Sequence, residues 1–161
     1  MEFSAYISYF EAIARSHRQI AHSEQEKHFC RMNIEEVISD LRSQLLYPAL
    51  LLESFEGGII DHLSDNFLDK QEGAFMILKQ CHNDDFEMEN LLLDECRQIG
   101  MDIISRMIKD RRDFLLQGFD PASVHYQKVG PVFDNAFGYR FSFSIETAAN
   151  ASLQYRSERW L

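Results

Sequence analysis

Apolar side chains recur at helical intervals from the start of the chain. Phe3, Ile7 and Phe10 share one series, and Tyr6, Phe10, Ile13, His17 and Ile20 another, which predicts an amphipathic helix over roughly 3–21. Ser23 and Glu26 have capping-box spacing and predict a short continuation. Asn33 and Glu36 form a second such pair, opening a helix through IEEVISDLRSQLL whose Ile34, Val37, Ile38, Leu41 and Leu45 lie on one face. Tyr47–Pro48 stops that helix, because a residue before proline avoids the α region.

The pattern then shortens. ALLLESFE reads as a strand, with Gly57–Gly58 as its bend or exit. IIDHLSDNFLDKQEG fits either an extended piece or a loop. GAFMILKQC is nearly all apolar, as a strand covered on both faces would be. The clearest element is a helix over about 86–115, capped by Asp84 or Asp85, with Leu92, Cys96, Ile99, Ile103 and Met107 as its stripe. Its start is acidic and its end basic, matching the helix dipole. Gly118 and Asp120–Pro121 close it. SVHYQKVGPV and YRFSFSIET read as two antiparallel strands around a Pro/Gly/Asn-rich loop. In the second, Tyr139, Phe141, Phe143 and Ile145 point one way and Arg140, Ser142, Ser144 and Glu146 the other. The class is α+β: a mainly antiparallel sheet packed on a long helix, with extra N-terminal helices. One domain spans 1–161, made of an N-terminal helical extension (1–32), an α-β-β-α-β-β core (33–147) and a C-terminal tail (148–161).

Charge sharpens this picture. Of a net −10, the whole imbalance falls on residues 53–102, with thirteen acidic and three basic side chains. Such a surface repels phosphate, so tight nucleic-acid binding is not expected. No apolar run is long enough for a membrane span, and the first residues do not form a secretory leader. Three cysteines without a C-x-x-C suggest a reducing, cytoplasmic setting.

Candidate chemistry is sparse. Phosphate-cradling glycine loops, the G-x-S-x-G elbow and H-E-x-x-H are all missing. His28 and Cys30 supply half a zinc site. Cys81–His82 is the nearest thing to a nucleophilic pair, although adjacent strand residues face opposite ways. The acids of 53–72 lack EF-hand spacing. No metal or cofactor is expected. What stands out is aromatic. Phe133 and Phe137 either fold back on the sheet or, with Tyr155, Arg156, Arg159 and Trp160, dock on another chain, since Trp, Tyr and Arg dominate interface hot spots.

The element order and the closing VGPVFDNAFGYRFSFSI resemble the tail-terminator or tail-completion (neck) proteins of tailed bacteriophages, over about 33–147. The resemblance implies a non-enzymatic virion component, assembled in the bacterial cytoplasm. It would form a homo-oligomeric ring, a hexamer, joining tail tube to neck. Glu53, Glu56, Asp61, Asp65, Asp69 and Glu72 would then be candidates for an acidic lumen through which DNA passes without sticking. Two other classes fit the same residues: an intracellular adaptor module gripping a partner protein, and a small-molecule enzyme whose site leaves no motif.

The strand pattern carries a direct test. Phe141→Ala and Ile145→Ala should each lower stability by about 2–5 kcal/mol in denaturant melts, whereas Ser142→Ala and Ser144→Ala should be near neutral; equal losses from all four would refute the alternation.

Overall fold

The computed structural model describes residues 1–32, 45–61, 63, 66–81, 86–132 and 135–161. Helix α1 (Phe3–Ser16) is followed by strands β1 (Phe29–Arg31), β2 (Ala49–Leu52), β3 (Glu56–Asp61) and β4 (Phe67–Gln80). Helix α2 (Phe86–Arg112), strands β5 (Phe119–Val132) and β6 (Ala136–Ala148), a short helix α3 (Asn150–Leu153) and a 3-10 turn (Ser157–Arg159) complete the chain. All described strands join one sheet in the order β1-β2-β4-β6-β5, and β3 continues the β2 edge of β4. Every pairing is antiparallel except β1 with β2. The α+β reading holds at this level.

The middle of the sheet is β4. Its fourteen residues pair with β6 on one side and with β2 then β3 on the other. Sequence reading divided this strand, because the polar stretch Asp69–Glu72 breaks the apolar run. The polar half is nonetheless in register with β3 as a hairpin, Glu56 opposite Glu72 and Asp61 opposite Phe67. Gly57 and Gly58 therefore lie inside β3 and do not mark an exit. The apolar half behaves as patterned, with Gly73 through Leu78 all buried.

Both helices cover one face. Phe75, Ile77, Phe141, Phe143 and Ile145 meet Tyr6, Phe10 and Ile13 of α1 and Cys96, Ile99, Ile103 and Met107 of α2. Phe75 and Phe141 stack at 5.2 Å between centroids, and Phe10 reaches both Phe75 and Phe143 at 5.6 Å. Aromatic pairs at these distances add to the burial of their area. Expected as an extension, α1 is a core element, and its Phe10 is fully buried. The opposite face carries a smaller apolar group, Ala49, Leu51, Met76, Leu78 and Ala136. Beyond it that face becomes polar, with Arg140 gripping Glu53 through two bonds of 2.7 and 2.8 Å.

Several boundaries differ from expectation. Helix α1 stops at Ser16, because His17 is extended and Ala21 adopts φ 49°. The Ser23–Glu26 pair closes a turn: Ser23 Oγ accepts the Glu26 N–H at 3.0 Å, but no helix follows. In α2 the buried leucine is Leu93, and Leu92 is only half-buried. Asp120–Pro121 lies within β5, and β1 appears after the stretch where a short helical continuation was expected. The helix expected from Asn33 and the Asp84 or Asp85 cap fall outside the described residues.

One residue no pattern indicated is Asp110, which is 1 % exposed. Its carboxylate accepts from Arg106 Nε at 2.9 and 2.8 Å and from Tyr9 Oη at 2.9 Å. Burial together with this bond raises the Tyr9 pKa. A desolvated carboxylate is tolerated only when so paired, and here the pairing ties the end of α2 to α1.

A close contact lies between α2 and β6. A Cβ at Gly100 would sit 2.0 Å from Phe141 Cε2, so only glycine allows the helix this close to the ring. Gly100→Ala should therefore destabilise by about 1–3 kcal/mol despite alanine's better helix propensity. The loss should shrink in Gly100→Ala/Phe141→Leu relative to the sum of the single substitutions. Additive losses in a thermal-melt cycle would contradict the contact.

Candidate functional site

Two surfaces remain once the core is accounted for, the polar face of the sheet and the C-terminal segment. Across the polar face, register sets Glu56, Glu72 and Ser144 in one row and Ala74, Ser142 and His125 in the next. An open groove of about 240 Å³ is lined by Lys70, Glu72, Ser123, His125, Ser142 and Ser144. A neighbouring one of about 280 Å³, beside Gly57 and Gly58, shares Lys70 and Glu72 with it. These two residues form an ion pair at 2.9 Å.

Serine, histidine and glutamate side by side invite comparison with a nucleophile–base pair, but the hydroxyls are engaged elsewhere. Ser123 Oγ accepts the Ser144 backbone N–H at 2.8 Å and donates to the Asp120 carbonyl at 2.6 Å. The β5–β6 register slips between Asp120 and His125, and Ser123 supplies the acceptor that the ladder lacks there. Ser144 is buried, contrary to its expected solvent-facing role. Ser142 Oγ lies 3.5 Å from the His125 backbone carbonyl, bonded to main chain and not to the imidazole. This geometry braces a bulge.

The expected acidic row does not form one face. Glu53, Glu56 and Glu72 lie on the polar face, and Glu53 is neutralised by Arg140, whose pKa that bond raises. Asp61 pairs with Phe67 and Asp69 with Ile59, which puts both on the helix-covered side. Asp69 accepts from Gln71 Nε2 at 2.9 Å. Asp65 lies outside the described residues. The alternation of a strand was enough to split the row, a consequence that reading this stretch as possible loop concealed.

The other candidates resolve as follows. Phe137 belongs to β6, half-buried, with Lys128 Nζ 5.8 Å from its ring, and its carbonyl accepts from Cys96 Sγ at 3.8 Å. It is not a loop aromatic. Phe133 and His82 lie outside the described residues. Cys81 is buried, and burial pushes the Cys96 thiol up to about 12. His28 Nδ1 lies 2.9 Å from the Pro48 carbonyl, so that nitrogen donates to main chain. Among the described residues no three His, Cys, Asp or Glu side chains converge as metal ligands, and no helix is long and apolar enough to cross a membrane.

The tail residues named as interface candidates lie on the surface. Every residue from Asn150 to Leu161 is exposed, and Tyr155 and Trp160 stack on each other at 6.2 Å. Among the described residues neither Arg156 nor Arg159 enters an ion pair. The segment is anchored where Ala149 N–H meets the Phe67 carbonyl and Asn150 Oδ1 accepts the Phe67 N–H, both at 2.8 Å.

Comparison with protein-family profiles finds no matching family, and comparison with curated proteins finds no matching relative.

A titration follows from the α1 end. Burial, reinforced by Arg15, depresses the His22 pKa below its ordinary 6.5, while Glu11 at 3.9 Å opposes this only in part. The folded state thus favours the neutral ring. This contribution is fully present above pH 6.5 and is lost as pH falls through 6.5 toward the depressed value. His22→Gln should flatten the fall in stability between about pH 7 and 5, and an unchanged slope in urea melts would remove His22 as its source.

Proposed function

We propose that this protein is a non-catalytic assembly component that acts by associating with copies of itself and with neighbouring proteins. The observation that carries the reading is the C-terminal segment. Leu153, Tyr155, Arg156, Arg159 and Trp160 stand clear of their own domain. Aromatic and arginine side chains in this arrangement are what interface cores select. Leaving Tyr155 and Trp160 at 73 % and 69 % exposure has no stabilising purpose in an isolated monomer. The polar sheet face adds support, because its hydroxyls are committed to the bulge.

The more specific form of the proposal is a hexameric ring of the tail-terminator or tail-completion kind, capping a tail tube and joining it to the neck within a virion. Its support is the resemblance in element order and closing sequence. Within such a ring Glu56 remains as a lumen candidate among the described residues, since it lies on the open face, whereas Glu53 pairs with Arg140 and Glu72 with Lys70.

Static light scattering over a concentration series tests the reading. The full chain should give a mass above its 18.9 kDa monomer, and particles seen by negative-stain microscopy should be closed rings. A mass fixed at the monomer value throughout would overturn it.

A further inference from the structure

Two histidines tie the segment between α1 and β1 to its surroundings. The His22 backbone N–H donates to the Ala14 carbonyl at 3.1 Å, fastening the segment to α1. At the other end β1 pairs with β2 over three residues, and His28 Nδ1 donates to the Pro48 carbonyl. Between these anchors the His28 backbone N–H donates to His22 Nδ1 at 3.2 Å. The same imidazole lies 5.8 Å from the Phe29 ring, and its side chain is 9 % exposed.

The His28 amide fixes the protonation state of the His22 ring. A ring nitrogen that accepts carries no proton, so the His22 proton is on Nε2, toward Glu11 Oε1 at 3.9 Å. A second proton can enter only at Nδ1, where it meets the His28 N–H donor against donor. His28 has no such conflict, because its Nδ1 already donates.

Among the described residues, Glu11 and Arg15 of α1, Glu24 and Lys27 of the turn and Arg31 of β1 line one groove with the ring. Burial, Arg15 and His28 oppose a charged ring and prevail over Glu11 and the Glu26 carbonyl, which favour it. The weak point of the arrangement is β1. It is a three-residue strand at the sheet edge, and segments held by so few ladder bonds open at lower cost than the core.

We infer that His22 is an acid-released latch: its neutral ring holds the turn over 23–27 and β1 in place, and a proton taken at Nδ1 lets that segment lift away and bares the outer edge of β2. The device does not depend on the self-association proposed above. Once the segment lifts, the ring recovers its ordinary value of 6.5. Opening therefore grows as pH falls through 6.5, by at most about thirtyfold at about pH 5.

Native-state hydrogen exchange on the full chain, corrected for the intrinsic pH dependence of amide exchange, tests this. The amides of His28, Met32 and Leu50 donate to His22 Nδ1, the Leu52 carbonyl and the His28 carbonyl, so they report on the segment. Their protection should fall severalfold between about pH 7.5 and 5, with little dependence on added urea, as a local opening requires. His22→Asn keeps an acceptor oxygen near the place of Nδ1 and does not titrate. Its protection should match the unaltered protein at the higher pH and stay level on acidification. His22→Ala removes the acceptor, so protection should be low throughout. Equal losses in the two variants would reduce the ring to packing and overturn the latch. An unchanged pH response in His22→Asn would do the same, as would exchange of these amides only with the urea slope of core amides such as Phe75.

Discussion

Phe75 and Phe141 lie face to face on neighbouring strands, and both helices are positioned through that pair. Phe10 brings α1 onto Phe75, while the missing side chain at Gly100 lets α2 settle directly against the Phe141 ring. A close-packed interior transmits such constraints, since neighbours have little room to compensate. Helix height above the sheet is thus set at Gly100, and the angle of α1 by its aromatic edge. Near the end of α2, Asp110 completes the frame by polar means, bonded to Tyr9 in the middle of α1.

With one face of the sheet committed to this packing, the rest of the molecule is left to its other face and its ends. On the polar face the Ser123 hydroxyl takes the Ser144 backbone N–H where the register of β5 slips, and the Ser142 hydroxyl reaches the His125 carbonyl. The ends differ in character. One has a groove lined by Leu45–Pro48, Lys79, Gln80 and Leu92, and the other an aromatic, basic segment projecting from the last strand. Such polarity along the long axis gives the domain a direction.

The core was largely legible in the residues. Tyr6, Phe10 and Ile13 on one helix and Phe141, Phe143 and Ile145 on one strand follow the periods of their elements, and they are buried. Legibility failed where a local signal was ambiguous and pairing decided the outcome. Gly57–Gly58 reads as a break, yet β4 holds both in a hairpin. Phe137 follows a turn-rich sequence, yet Lys79 opposite it extends the ladder. Asp110 was invisible because a carboxylate on a helix face gives no sign that Tyr9, distant in sequence, will cover it. At the candidate site, composition located the tail aromatics and arginines, whereas the groove of Leu45–Pro48, Lys79, Gln80 and Leu92 is assembled only by folding.

The place of α1 has a consequence for synthesis. Phe10 is synthesised before the residues that shelter it, since Phe75 and Phe143 follow it by 65 and 133 positions. At cellular translation speeds the longer interval is on the order of ten seconds. During that time an aromatic stripe is open to misassociation, and a chaperone that recognises exposed phenylalanines on a nascent chain would find this one a ready client.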